Sequence, residues 1–279
     1  MGFERISILG VGLMGGSVAL ACRSVLNDYK ITGYSRSGEE LNRALERGVI
    51  DRSTDNAATA VNDADLVVLC TPVGTFSDLM RSIAASLKPG AIVTDVGSTK
   101  RSIIRQAGEI LPVTSPFVGS HPMVGGEKHG IDNARADLFS QGLCIVTPAE
   151  RTDAQAVGRI EQFWQSLQMR TVRMSPQMHD QLTADISHLP HAIAAALVRI
   201  QSSESRKLAG RGYLDSTRIA AGDPALWSDI LLDNRDNLRS GLERIQLEIR
   251  ELLERLDAGD ASAVQAWLGA AATARNAPR

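Results

Sequence analysis

Apolar positions in the first half of the chain alternate between two periods. Short apolar runs fall at Arg5–Leu9, Lys30–Tyr34, Leu66–Cys70 and Ala91–Asp95. Between them, helical spacing runs over Leu13–Leu26, Glu39–Arg47 and Phe76–Leu87, the last stopped by Pro89-Gly90. Leu66-Val67-Val68-Leu69-Cys70 has no polar alternation, as a strand covered on both faces requires. Strands separated by helices of this length predict βαβ units and a parallel sheet. The expected fold class is α/β, with an N-terminal parallel-sheet domain over 1–150 and an all-helical C-terminal domain over 151–279. The changeover falls between about 150 and 176, because Met169–Arg173 interrupts the helical pattern with a short apolar stretch. Leu238, Leu242, Ile245, Ile249, Leu252 and Leu256 form a seam of alternating three- and four-residue gaps. Such a run serves equally a helix packed on its own domain and a dimer contact. Ala270–Arg279 lacks periodicity and is expected to fray.

Composition narrows the function classes. Across 279 residues, 30 Lys and Arg against 32 Asp and Glu leave a net charge of -2 with no basic block, which excludes a nucleic-acid footprint. Cys22, Cys70 and Cys144 stand apart without a CxxC pair, so neither a disulfide framework nor a zinc site is expected, and a reducing, cytoplasmic setting fits. Ile6–Cys22 carries no charge, but Gly10, Gly12, Gly15 and Gly16 break it as a signal or membrane helix. No membrane partner is expected.

Gly10-Val11-Gly12-Leu13-Met14-Gly15 is a GxGxxG turn that leaves a strand and opens a helix. Gly10 allows the tight turn, Gly12 the approach of a pyrophosphate, and Gly15 close packing of helix on strand; the helix N-terminus then faces the phosphates, so the domain over 1–150 is expected to be a Rossmann-like dinucleotide-binding domain. The tip of the second strand reads Tyr34-Ser35-Arg36-Ser37, without the acid that usually accepts from the ribose 2′-OH of NAD. Arg36 can pair with a 2′-phosphate, and Ser35 and Ser37 can donate to it, so NADP is the expected cofactor with NAD as the alternative. Thr71 and Pro72, directly after the third run, complete the expected cofactor contacts.

The loop Val96-Gly97-Ser98-Thr99-Lys100 and the segment Gly119-Ser120-His121-Pro122-Met123 carry the chemistry. Loops beyond the carboxyl ends of parallel strands line the ligand crevice. Ser98 and His121 can meet there, and a histidine titrating near neutrality suits a hydroxyl proton.

Together with Ser187-His188-Leu189-Pro190-His191 and Asp215-Ser216-Thr217-Arg218-Ile219-Ala220, followed by Asp223-Pro224 and Trp227, these motifs resemble the prephenate/arogenate dehydrogenases of tyrosine biosynthesis. The resemblance runs from about residue 5 to 255 and keeps the motifs in the family's order. It implies oxidation of a cyclohexadienol ring carbinol, hydride passing to nicotinamide and the ring carboxylate leaving as CO₂. It further implies His121 as the acceptor of the hydroxyl proton, Ser98 as its orienting partner, and Arg218 as the holder of a substrate carboxylate. His191 and Trp227 would shape the pocket, with Asp215 and Glu127 tethering Arg218 or gating it. Gly126, where the family often carries a polar residue, leaves the choice between arogenate and prephenate open. The resemblance also implies a homodimer through the helical domain. No further catalytic or regulatory segment is expected after the last motif.

His188 and His191 lack a third ligand, so no metal is expected. His129 and His179 show no partner pattern and are expected at the surface. Two alternatives stand beside this reading. A β-hydroxyacid type of dehydrogenase would share the glycine turn but use a lysine as acid/base. A non-catalytic NADP-sensing module would leave His121 and Arg218 unexplained.

Overall fold

The computed structural model describes residues 3–25, 29–125 and 129–277. The chain divides into two compact units, Met1–Asn234 and Arg235–Arg279.

The first unit opens with β1 (Arg5–Leu9), α1 (Leu13–Val25), β2 (Lys30–Tyr34), α2 (Gly38–Glu46), β3 (Arg52–Thr54), α3 (Ala57–Val61) and β4 (Leu66–Leu69). It continues through α4 (Phe76–Ile83), β5 (Ile92–Asp95), α5 (Arg101–Ile110), β6 (Phe117–Pro122), β7 (Leu143–Thr147), α6 (Ala154–Ser166) and β8 (Arg170–Arg173). The sheet has the order β3-β2-β1-β4-β5-β6-β7-β8. Every neighbouring pair is parallel except β6 with β7. α1, α2 and α6 cover one face and α3, α4 and α5 the other. β4 and β5 therefore have no exposed face, which explains the unbroken apolar run of β4.

The strands expected at 5–9, 30–34, 66–70 and 91–95 form within a residue of those bounds. The first expected helix is found as α1, and its last expected residue, Leu26, lies outside the described residues. The sheet does not end at 150: α6 and β8 extend it to Arg173, and β8 pairs in register with β7. Beyond Arg173 every described element is helical. The first unit closes with α7 (Pro176–Thr183), α8 (Leu189–Arg199), α9 (Ser203–Lys207), α10 (Arg211–Thr217) and α11 (Pro224–Asp233).

A five-residue π turn, Ala184–His188, joins α7 to α8, and the Leu189 N–H closes on the Ala184 carbonyl. Pro190, next in the chain, has no N–H to continue an α ladder, so the wider turn falls where the ladder is already broken.

The second unit is a helical hairpin of α12 (Arg235–Asp257) and α13 (Ala261–Asn276). Gly259, at φ +62°, makes the reversal, and Asp260 caps α13 on the Ala263 N–H. Ile249 and Leu256 of the leucine seam are exposed. No helix among the described residues is long and apolar enough to cross a membrane.

Candidate active site

The carboxyl end of the sheet is cut at β1 and β4, where the strand order reverses; this is the crevice at which doubly wound sheets bind ligands. Gly10, at φ +106°, donates its N–H to Tyr34 O at 2.8 Å, so the glycine turn lies against the tip of β2. A side chain at Gly10 would strike the Cys70 backbone and Thr71, and one at Gly15 would strike the Gly10 carbonyl. At Gly12 nothing stands within 4 Å of the space a Cβ would fill. That open cradle before α1, with Leu13 and Met14 half-buried behind it, fits a dinucleotide pyrophosphate. Thr71 is half-buried and Pro72 exposed at the next strand end; the Thr71 and Thr75 hydroxyls are 2.8 Å apart.

At the β2 tip, Ser37 caps α2 by accepting the Glu40 N–H, and Arg36 is exposed. Ser35 is buried; its hydroxyl donates to Glu40 Oε2 at 2.9 Å and accepts the Ser37 N–H at 3.1 Å.

The loop after β5 is fixed by a buried ion pair. Lys100 Nζ donates to Asp95 Oδ2 at 2.6 Å, Gly97 O at 2.6 Å and Thr99 O at 2.9 Å, so all three ammonium protons are used in a fully buried place. The two carbonyls flank Ser98, which is half-buried. Asp95 Oδ1 accepts the Ser120 N–H at 2.9 Å, tying the same pair to the residue before His121. The Ser98 loop and the His121 strand are thus held by one carboxylate. A buried ion pair keeps such a role only when its other hydrogen bonds are satisfied, as here.

His121 is buried at the end of β6. Its Nδ1 lies 2.8 Å from His179 Nε2, and His179 Nδ1 lies 2.8 Å from Asp180 Oδ1. The Asp180 oxygens also accept the N–H groups of Lys100 at 2.8 Å and Arg101 at 2.9 Å, capping α5 from another element. Burial would raise the Asp180 pKa, but the hydrogen bond from His179 and the two backbone donors outweigh it and hold the carboxyl below its ordinary range. An ionised Asp180 can only accept, so His179 Nδ1 donates and its bare Nε2 accepts from His121 Nδ1–H. His121 is left with its lone pair on Nε2. Burial, then the charges of His179, Lys100 and His188, hold the His121 pKa well below the usual histidine value.

His179 therefore belongs to the site and not to the surface: it is fully buried. α7 looks exposed in sequence because the groups it meets, Lys100, His121 and Asn234, are themselves polar. His129, by contrast, is exposed.

The helical side reaches this line through Asn234. Asn234 Nδ2 donates to Asp180 O at 2.7 Å and lies 3.1 Å from His188 Nδ1. His188 meets Trp227 edge-on at 6.3 Å, and His191 stacks on the same indole at 3.5 Å with an interplanar angle of 13°. Gly222 lies under Trp227 where no side chain would fit. Burial pushes His188 down to about 4 and lowers His191. His188 Nε2 and His191 Nδ1 are buried without a hydrogen-bond partner among the described residues, a cost of about 1–3 kcal/mol each that a polar ligand would relieve. Asp215 and Arg218 are exposed at the end of α10 and on the turn after it, which packs against α8, the helix of His191. Glu127, with Gly126 before it, lies outside the described residues.

The sequence names His121, Ser98, His191 and Trp227 as candidates, and the structure sets beside them residues the sequence did not single out: His179, Asp180, Lys100 and Asn234. Asp95 and Lys100 stood inside a quoted motif, and their five-residue spacing across a strand end was the available signal. Nothing local marks Asn234.

A dinucleotide cradle, a neutral buried histidine beyond the same sheet edge and a helical wall with unsatisfied imidazoles define a nicotinamide-dependent dehydrogenase of the Rossmann class. Comparison with known proteins narrows the class. Residues 18–173 match the nucleotide-binding domain of prephenate dehydrogenase, and residues 175–270 match its dimerization domain. Prephenate dehydrogenase of Bacillus subtilis is 38% identical over 256 residues, which is 89% of this chain and 68% of that protein. Cyclohexadienyl dehydrogenase of Zymomonas mobilis is 35% identical, over 90% of this chain and 87% of its own. A crystal structure of Aquifex aeolicus prephenate dehydrogenase, in complex with hydroxyphenyl propionate and NAD+, superposes with a TM-score of 0.93 at 32% identity, covering 99% of this chain and 98% of that one. The chain belongs to the prephenate dehydrogenase family. It is an oxidoreductase with a nicotinamide dinucleotide as cofactor.

Proposed function

We propose that the chain carries out the dehydrogenase step of tyrosine biosynthesis, oxidatively decarboxylating arogenate to tyrosine, prephenate to 4-hydroxyphenylpyruvate, or both. The observation that carries the reading is the line Asp180–His179–His121, which leaves a bare Nε2 on a buried, neutral imidazole. That nitrogen accepts the C4 hydroxyl proton, and Ser98 orients hydroxyl and imidazole. The bound nicotinamide supplies the hydride acceptor. Loss of the ring carboxylate as CO₂ then aromatises the ring. His191 and Trp227 shape the pocket, Arg218 holds a substrate carboxylate, and the role of Asp215 and Glu127 is to tether Arg218 or to gate the pocket.

NADP is the favoured cofactor on this reading, because Arg36 is exposed at the β2 tip and free of any ion pair among the described residues, with NAD as the alternative. Domains divide near residue 174, where β8 ends and the helices begin. The active molecule is a homodimer through the helical domain, with the α12 seam available to it, working in the cytoplasm on a small-molecule substrate.

Purified protein assayed at 340 nm with arogenate and prephenate, each against NADP and NAD, tests the reading. Reduced cofactor is expected with at least one substrate, and silence in all four pairings from protein that binds dinucleotide refutes it. Within the same assay, Arg218→Ala is expected to raise KM for the active substrate about tenfold or more, since a charge-assisted partner of a carboxylate is lost. An unchanged KM would remove Arg218 from the pocket.

A further inference from the structure

The tip of β2 contains an acid after all, supplied from one turn inside α2. We propose that Glu40 sets the cofactor choice: its carboxylate, held on Ser35, receives the ribose 2′-OH of NAD and opposes the 2′-phosphate of NADP. The inference rests on the dinucleotide site of the proposed function and deepens it.

Several observations converge. Gly10 N–H on Tyr34 O places the residues after Tyr34 beside the glycine turn, and a Cβ at Gly33 would strike Val11 of that turn. This is the position from which an acid at the end of the second strand reaches the adenosine ribose. Ser37 and Glu40 have the spacing of a capping box, in which the N3 glutamate normally returns to the N-cap N–H. Here only half of the box forms. Ser37 Oγ accepts the Glu40 N–H, but the Ser37 N–H goes to Ser35 Oγ, and Glu40 Oε2 takes the Ser35 hydroxyl proton at 2.9 Å. The carboxylate is thereby turned away from the helix end and toward the strand tip.

That bond also changes what Ser35 offers. A serine hydroxyl has one proton. Ser35 has committed its proton to Glu40, so it cannot also donate to a 2′-phosphate while the bond stands. No lysine or arginine pairs with Glu40 among the described residues, so its charge is uncompensated there. A ribose hydroxyl gains a charge-assisted acceptor from this arrangement, whereas a phosphate meets a like charge. Arg36 pulls in the other direction, so the choice between the two dinucleotides turns on the balance of this pair.

The test is calorimetric titration of NAD and of NADP, separately and without substrate, into the wild type, Glu40→Gln, Ser35→Ala and Arg36→Ala. Glutamine keeps the backbone cap, so α2 retains its start. Glu40→Gln is expected to move the ratio of the two dissociation constants toward NADP by about tenfold or more, the size of one charge-assisted hydrogen bond. Ser35→Ala, which removes the tether, is expected to move it the same way, and Arg36→Ala toward NAD. A ratio that stays within about threefold of wild type in both Glu40→Gln and Ser35→Ala overturns the proposal. Because no substrate is present, failure of arogenate and prephenate to react leaves this result standing, and an unmoved ratio leaves the dehydrogenase reading standing.

Discussion

Replacing His121 by asparagine is expected to lower kcat by about 10² to 10⁴, the usual weight of a positioned acid/base, while leaving the dissociation constant of the dinucleotide unchanged. Asparagine suits the purpose because its amide N–H can still donate to His179 Nε2, the bond His121 Nδ1 makes at 2.8 Å. The strand and its neighbours stay in place, and only the nitrogen that takes a proton is lost. The cradle at Gly10–Gly15 belongs to β1 and α1, separated from β6 by β4 and β5, so binding should not register the change. The pH profile supplies an independent sign. The wild-type base is active when neutral, and its pKa is lowered by burial first and by neighbouring positive charge next. The acid limb of kcat/KM should therefore lie below pH 6.5, the ordinary histidine value, with full activity above it. In His121→Asn that limb should vanish. Wild-type turnover in the variant would remove His121 from the chemistry.

The parts of this enzyme legible in its sequence are those in which one residue type answers to one local constraint. Gly10 needs a positive φ, and Leu66–Leu69 must be apolar because both its faces are covered. The Ser98 and His121 segments were legible because their motifs are contiguous. β6 was hidden, since Phe117–Pro122 is completely buried yet carries Gly119, Ser120 and His121 in place of an apolar run. Its polar groups are satisfied sideways, by Asp95 on Ser120 N–H and by Thr94 Oγ1 at 2.8 Å from Ser120 Oγ. Hydrophobic periodicity cannot detect a strand whose core partners are hydrogen bonds. The same holds for α7, whose buried residues are His179, Asp180 and Thr183. Glu40 was hidden for a different reason. Its spacing from Ser37 reads as a helix cap, and only the Ser35 hydroxyl, which takes the place of the return bond, turns the carboxylate toward the strand tip. Contacts between segments distant in sequence, such as Asn234 with Asp180, leave no local trace at all.

The strongest consequence of the hidden residues concerns His179. Replacing it by phenylalanine, which keeps a ring in the buried space, is expected to lower kcat about 10²-fold with a smaller change in KM. Without the Nε2 acceptor, the His121 proton is no longer confined to Nδ1, and the tautomer with its lone pair facing substrate loses its preference. A purely structural role for His179 would depress activity and stability together but would not move the pH profile in a set direction. The line of hydrogen bonds fixes that direction. His179 Nε2 accepts the His121 Nδ1–H, a bond the imidazolium makes more strongly than the neutral ring, and phenylalanine puts an apolar ring in its place, so the substitution lowers the His121 pKa further. The acid limb of kcat/KM should consequently shift to lower pH in His179→Phe. His179→Gln should restore part of the lost kcat, because one amide can accept from His121 Nδ1–H and donate to Asp180. An acid limb that stays in place, with glutamine no better than phenylalanine, would reduce His179 to a packing residue and leave the tautomer of His121 to be set by substrate alone.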